Sequence, residues 1–277
     1  MNNSTSLLDE LLKMAVELAA GAAARHNEGG MGDVQSKSSQ TDPVTLVDQQ
    51  SERLIVDGIV SRRPHDAIVG EEGADRQGTN GVRWIIDPLD GTVNYVYGYP
   101  MHAVSIGVEV DGVFSVGVVH HTIQPDRSGG QATHSEVVYA AKLGGGATRN
   151  GLPISCREPE SLQATLLATG FGYDPEQRSA QAKVLVDLLP RVRDIRRSGS
   201  CALDLCSVAS GVVDAFYETG PNIWDVAAGV VIVSEAGGTW SWDPDRGRIL
   251  ASSRQVWNEF DGAVSTAEEA ATHIVQG

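Results

Sequence analysis

Trp84-Ile85-Ile86-Asp87-Pro88-Leu89-Asp90-Gly91-Thr92-Val93-Asn94 departs from ordinary fold grammar. An apolar strand-like run ends directly in two carboxylates, with Pro and Gly between and after them. That composition predicts a sharp turn at the strand end, with Asp87 and Asp90 pointing toward a common centre. Two close carboxylates repel unless a cation or proton sits between them. An all-oxygen donor set suits Mg²⁺, Mn²⁺ or Ca²⁺ rather than zinc. Taken alone, Asp-x-x-Asp-Gly is more often a plain solvated turn.

Outward from this stretch, other carboxylates follow the same logic. Glu71 and Glu72 come after Ala67-Ile68-Val69, and Asp225 opens an apolar helical segment over Val226–Ala236. There Asp225 reads either as an N-cap or as a ligand beside free backbone N–H groups. Ala103–Val110 and Val113–Val119 are strands joined by Asp111-Gly112, a hairpin signal. Val137–Lys142 and the Asn150-Gly151 turn extend the antiparallel region. Leu7–Ala24 has the apolar spacing of a helix, and a second helix is expected from near Thr45 with Pro64 beyond its end. After residue 150 helices alternate with short strands: helices over Ala180–Leu189, Leu203–Ser210 and Ala267–Val275, and a strand over Asp214–Tyr217. The expected division is an N-terminal α+β half, 1–150, carrying most candidate ligands, and a C-terminal α/β half, 151–277, completing the site.

The chain has 277 residues, 41% hydrophobic and 21% charged, which excludes global disorder. Its 21 Lys and Arg stand against 36 Asp and Glu, a net charge of −15. Such a surface repels nucleic acid and anionic lipid on average. It repels anionic small molecules too, unless bound cations invert the local field. No apolar run reaches membrane-spanning length. The acidic N-terminus lacks the pattern of a secretory signal, and three cysteines suggest free thiols in a reducing cytoplasm. Gly144-Gly145-Gly146 lacks the Lys of a phosphate loop and reads as a tight turn. His120 and His121, adjacent on a strand, face opposite sides and read as structural. Arg191, Arg193, Arg196 and Arg197 form a basic cluster, read as a solvated face or a subunit-edge patch.

Taken together and in order, these motifs resemble the inositol monophosphatase family. Trp84–Asn94 resembles its first signature. Trp224-Asp225-Val226-Ala227-Ala228-Gly229 with Glu235-Ala236-Gly237-Gly238 resembles the second. Gly70-Glu71-Glu72 is similar to the glutamate motif, and Lys37-Ser38-Ser39, Asp42, Thr45 and Asp48 to the N-terminal pattern. Ile195–Asp204 is similar to the bacterial branch. Val93, Gly73 and a long polar connection over 123–136 depart from the usual pattern.

The resemblance implies a layered α/β sugar-phosphatase fold, αβαβα, usually homodimeric. It implies Mg²⁺-dependent hydrolysis of a small phosphate monoester, with two to three Mg²⁺ per site and Mn²⁺ as a substitute. Glu71, Asp87 and the Leu89 carbonyl would hold a first ion, Asp87, Asp90 and Asp225 a second, and Glu71 would share a looser third. Thr92 with Asp48 would orient and deprotonate the attacking water. Gly91 and Thr92 N–H groups would bind phosphate oxygens, while Ser200, Cys201 and Glu218 would lie against substrate. Glu218, at the interval of a ring-hydroxyl acceptor, favours inositol 1-phosphate. Histidinol phosphate and fructose 1,6-bisphosphate are the alternatives on the same scaffold. A different class of role, as an RNA- or transcription-associated partner protein, is also known among bacterial relatives.

Overall fold

The computed structural model describes residues 2–28, 35–36, 43–44, 46–123 and 135–273. The helices are α1 (Asn2–Glu28), α2 (Leu46–Arg62), α3 (Thr92–Tyr97), α4 (Pro175–Leu188), α5 (Cys201–Ala209), α6 (Ile223–Glu235) and α7 (Trp257–His273). A short ribbon pairs β1 (Gln35–Ser36) with β2 (Pro43–Val44). An eight-stranded sheet contains β3 (Ala67–Gly70), β4 (Asp75–Arg76), β5 (Val82–Asp90), β6 (Ala103–Val110), β7 (Val113–Ile123), β8 (Ser135–Lys142), β9 (Ala147–Arg149) and β10 (Leu152–Pro153), in the order β10-β9-β8-β7-β6-β5-β3-β4. A five-stranded sheet contains β11 (Leu166–Thr169), β12 (Asp194–Arg196), β13 (Ala215–Thr219), β14 (Gly238–Asp243) and β15 (Arg248–Ser253), in the order β12-β11-β13-β15-β14.

Three apolar interfaces stack these pieces. Leu11, Met14, Leu18 and Ala22 of α1, with Ile55 and Ile59 of α2, pack on Trp84, Ile86, Val104, Ile106 and Val118 of the large sheet. The other face of that sheet meets α5 and α6, whose far sides bury Phe216, Ile249 and Ala251 of the small sheet. Beyond it, Val184 and Leu188 of α4 join Phe260 and Val264 of α7 against Leu167, Tyr217 and Leu250. The result is the αβαβα layering that the family resemblance implied. The middle core joins side chains from both sides of residue 150, with Val119 and Tyr139 packed among Ala228, Val231 and Ile232.

Helix α6 is apolar all round because it is covered on both sides. It lies unusually close to the large sheet. Gly107 and Gly117 are register partners on β6 and β7. A Cβ on Gly107 would stand 2.6 Å from the Ala227 Cβ, and one on Gly117 2.2 Å from the Ala228 carbonyl oxygen. Two facing glycines thus let the helix backbone seat on the strands, which brings the start of α6 to the end of β5.

The antiparallel hairpins fall where their turn residues placed them, with Asp111 and Asn150 both at positive φ. The glycine-rich turn is tight as expected: the N–H groups of Gly144 and Gly146 donate to the two carboxylate oxygens of Glu235, at 2.9 and 2.7 Å. Lys37, Ser38, Ser39, Asp42 and Thr45 lie outside the described residues, as does the connection over 124–134.

Candidate active site

The site is built at the ends of two parallel strands. β3 and β5 run side by side, with Gly70 paired to Ile86. Their next residues are Glu71 and Asp87, and the Glu71 N–H donates to the Ile86 carbonyl at 3.1 Å. Parallel pairing therefore delivers two carboxylates to one sheet end. The buried Glu52 carboxylate of α2 secures the following turn, accepting from Glu72 N–H at 2.8 Å and Ala74 N–H at 3.0 Å. Sequence reading missed Glu52; an acidic residue at a buried position of a helix face was its one signal.

The sharp turn expected after Ile86 is not there. β5 continues to Asp90, and the irregularity is a bulge: Asp87 pairs with Ser105 and Asp90 with Ala103, so three steps on β5 match two on β6. Residues three apart on a regular strand face opposite sides. The extra residue of the bulge cancels that alternation and turns Asp87 and Asp90 to the same side. Leu89 N–H donates to Asp87 Oδ1 at 2.9 Å, which fixes the first carboxylate. The chain reverses at Gly91, whose φ of 88° is left-handed and suits glycine alone without strain. Thr92 then opens α3, a helix that sequence reading did not find. Its hydroxyl lies 3.1 Å from Asp48 Oδ1 and 3.0 Å from the Leu89 carbonyl, both acceptors for its single proton. Thr92 and Asp48 are buried.

Asp225 arrives from the opposite half. It is not an N-cap: α6 begins at Ile223 behind Asn222, and Asp225 sits in its first turn, accepting from the Asn222 N–H. One oxygen each of Asp87, Asp90 and Asp225 lie within 4.8 Å of one another, the group of this kind found among the described residues. Burial, then the charges of Glu71, Asp90 and Asp225, pushes the Asp87 carboxyl well above its ordinary range. Asp225 is raised likewise by burial and by Asp90 and Glu71. Asp90 is raised less, to about 6, because hydrogen bonds oppose its burial. Ser200 Oγ donates to it at 2.5 Å and Ala202 N–H at 2.8 Å, at the N-terminus of α5. Ser200 also caps that helix, accepting from Leu203 N–H at 3.2 Å.

Three mutually repelling oxygen donors, two of them buried, fit a hard divalent cation. The same residues open onto a cavity of about 420 Å³ that is also lined by Glu71, Leu89, Gly91, Thr92, Cys201 and Glu218. Every site residue inferred from the sequence except Asp48 therefore borders one cavity; Asp48 lies behind Thr92. Glu218 is raised well above the usual range by burial and by Asp204 and Asp225. Burial raises Cys201 as well.

Asp204 and Arg197 are among the lining residues that sequence reading did not assign to the site. Asp204, buried in the first turn of α5, is pushed up to about 7, chiefly by burial. Arg197 also borders the cavity, while its neighbours in the run form the solvated face expected from the sequence. Arg191 pairs with Asp187 at 2.8 Å and Arg196 with Asp194 at 2.7 Å, while Arg193 donates to the Ala164 carbonyl at 3.0 Å.

The family profile described as the inositol monophosphatase family matches residues 7–276. The chain belongs to the inositol monophosphatase family. That makes it a phosphatase by membership. It is 44% identical over 241 residues to inositol-1-monophosphatase SuhB of Mycobacterium tuberculosis, covering 81% of this chain and 79% of that protein. It is 40% identical over 205 residues to Nus factor SuhB of Xylella fastidiosa, covering 73% and 70%. The structure of inositol monophosphatase from Anabaena superposes with a TM-score of 0.77 at 34% identity, covering 94% of this chain and 96% of that one.

Proposed function

We propose that this family member is a Mg²⁺-dependent phosphomonoesterase that hydrolyses inositol 1-phosphate to inositol and phosphate. The observation that carries the reading is the convergence of Asp87, Asp90 and Asp225 beside Thr92 on one polar cavity. Glu71, Asp87 and the Leu89 carbonyl would hold one Mg²⁺, and Asp87, Asp90 and Asp225 a second, with Glu71 shared by a third and Mn²⁺ as a substitute. When bound, such ions neutralise phosphoryl oxygens, acidify water and stabilise a leaving alkoxide.

The chain's own residues would do the rest. Thr92 Oγ1 already shares its proton with acceptors on two sides. If that proton goes to Asp48, Thr92 Oγ1 is free to accept one from a water in the cavity and so orient it for attack. Gly91 and Thr92 present backbone N–H groups where the phosphate would sit, at the start of α3. Ser200, through Asp90, holds a ligand in place. Cys201 and Glu218 line the part of the cavity left for the alcohol, and Glu218 would accept from ring hydroxyls. Gathering the anion into a chain of charge −15 rests on the local field of the bound cations. We further propose that the enzyme works in the cytoplasm as a homodimer. No helix of the described residues is long and apolar enough to cross a membrane.

A phosphate-release panel tests the reading. Inositol 1-phosphate, histidinol phosphate, fructose 1,6-bisphosphate and an aryl phosphate are compared with Mg²⁺, with EDTA, and with Mg²⁺ restored. Inositol 1-phosphate should lead, and EDTA should abolish release reversibly. Full activity in metal-free buffer, or a clear lead for another phosphate, would replace this assignment. The Xylella relative named a Nus factor keeps a second reading open, that of a transcription-associated partner protein. The acidic surface disfavours direct RNA contact, so the test is capture of a defined transcription-complex protein by the intact chain, with naked RNA as the comparison.

A further inference from the structure

Behind the bulge, on the side away from the cavity, lies a second cluster that the hydrolytic chemistry does not use. His26, near the end of α1, is buried, and its Nε2 stands 3.0 Å from the Pro88 carbonyl oxygen. A carbonyl can only accept, so Nε2 carries the ring proton and donates it. Pro88 is one of the residues between Asp87 and Asp90 where the ladder with β6 is broken. At such a break the backbone loses strand partners and its geometry needs another tether. The Tyr95 hydroxyl, one turn beyond Thr92 on α3, donates to the His26 carbonyl at 3.3 Å. His102, just before β6, completes the cluster: its ring centre lies 5.7 Å from that of His26 and 5.3 Å from that of Tyr95, edge-on to the tyrosine. The three elements that frame the bulge (α1, α3 and the start of β6) therefore meet at one imidazole.

Resting on the metal reading of Asp87 and Asp90, we infer that His26 is a positioning residue for the metal centre. Its hydrogen bond to Pro88 holds the bulge in the register that turns both aspartates to one side. An imidazole behind a ligand-bearing loop acts as outer-shell partners of metal ligands do: it touches neither ion nor substrate, but it sets how far apart the donors rest. A side chain that only filled space would influence stability and leave cation affinity alone.

The experiment is a Mn²⁺ titration of the full chain, with free ion followed by electron paramagnetic resonance, in the absence of any substrate. His26→Leu keeps apolar bulk but removes the donor. His26→Asn keeps an amide too short to reach Pro88. His26→Gln places an amide N–H near the position of Nε2. Leu and Asn should each weaken Mn²⁺ binding roughly tenfold, and Gln should restore it to within about twofold of the natural protein. Either Leu or Asn binding Mn²⁺ as the natural protein does overturns the proposal. So does a Gln variant as weak as the Leu variant while both stay folded. If Leu does not fold, Asn decides alone. If the unaltered protein binds no Mn²⁺, the metal reading itself falls, which separates that failure from the failure of the positioning role.

Discussion

The two sides of the Asp87–Asp90 bulge hold titratable clusters of opposite kind, and the fold treats them oppositely. On the cavity side, carboxyls crowd together and burial with mutual repulsion raises them, Asp90 to about 6 and Asp87 and Asp225 well above the ordinary range. Behind the bulge, His26 is lowered to about 3 and His102 to about 4, each mainly by burial. Both clusters resist charge, but for different reasons. The histidines are enclosed by rings and backbone and gain nothing from a proton. The carboxyls border a cavity that admits an ion. One cluster is closed in by its own neighbours; the other opens onto the polar cavity.

The sharpest way to break this contrast is to remove one carboxylate charge. Asp90→Asn and Asp225→Asn keep size and delete a ligand. Each should lower turnover at least about a hundredfold, since a metal's share of transition-state stabilisation is several kcal/mol. The metal-free variants should fold and melt no lower than the natural protein, because a repulsive charge has gone. Turnover and thermal unfolding measured on the same preparations check both halves. Near-natural turnover in both variants would remove these residues from the site.

Acidity separates the clusters next. For the histidines the folded pKa lies below the unfolded value, so below about 6.5 the unfolded chain binds more protons and stability falls with pH. The two together contribute a slope of at most about 2.7 kcal/mol per pH unit, spent between about 6.5 and 4. Asp90 runs the other way. Its folded pKa is raised, so between about 4 and 6 the folded metal-free protein binds the extra proton and gains stability as pH falls. Without Mg²⁺ the slopes oppose, Asp90 offsetting at most about 1.4 kcal/mol per pH unit and only below about pH 6, so the urea midpoint should fall less between pH 6.5 and 5 than it does with the ion bound. With saturating Mg²⁺ the carboxyls are kept ionised, the compensation vanishes, and the midpoint should drop steadily over the same range. Parallel curves with and without Mg²⁺ would show that the carboxyls are not where the ion binds.

The smallest expected effect sorts the carboxylates among themselves. Glu218 lines the cavity but is not part of the tight group. Glu218→Gln should cost inositol 1-phosphate roughly tenfold in kcat/KM, the loss of one charge-assisted hydrogen bond. An aryl phosphate, lacking ring hydroxyls, should be nearly unaffected, and Mn²⁺ affinity should hold. If histidinol phosphate is instead preferred by the natural enzyme and suffers most, Glu218 reads an ammonium. Equal losses on every phosphate would place Glu218 with the metal ligands.

Much of this was legible in the residues. Apolar spacing marked α1 and α2, Asp111-Gly112 and Asn150-Gly151 marked their hairpins, and the carboxylates after apolar runs marked the site. What escaped shares a physical character. The continuation of β5 through Pro88 runs against a proline's usual effect in a strand, and a neighbouring strand and His26 tolerate it. Short α3 and the buried Glu52 and Asp204 owe their places to contacts with residues far along the chain. The arginine run reads from sequence as a solvated face and stands as one, with Arg191 and Arg196 balanced by Asp187 and Asp194.

By itself, the sequence determined the chemistry on offer: which side chains are carboxylates, that they follow strands, and that Gly91 permits the left-handed reversal before Thr92. Those follow from local conformational preference and residue type. Only the tertiary structure decided that the carboxylates form one site. Parallel pairing of β3 with β5 sets Glu71 beside Asp87, a one-residue bulge against β6 turns Asp90 to join it, and the facing Gly107 and Gly117 let α6 settle close enough to deliver Asp225. Local preference cannot supply this, because each of these placements is set by a partner distant along the chain, and bringing like charges together is opposed by their repulsion until the surrounding core makes any other arrangement costlier.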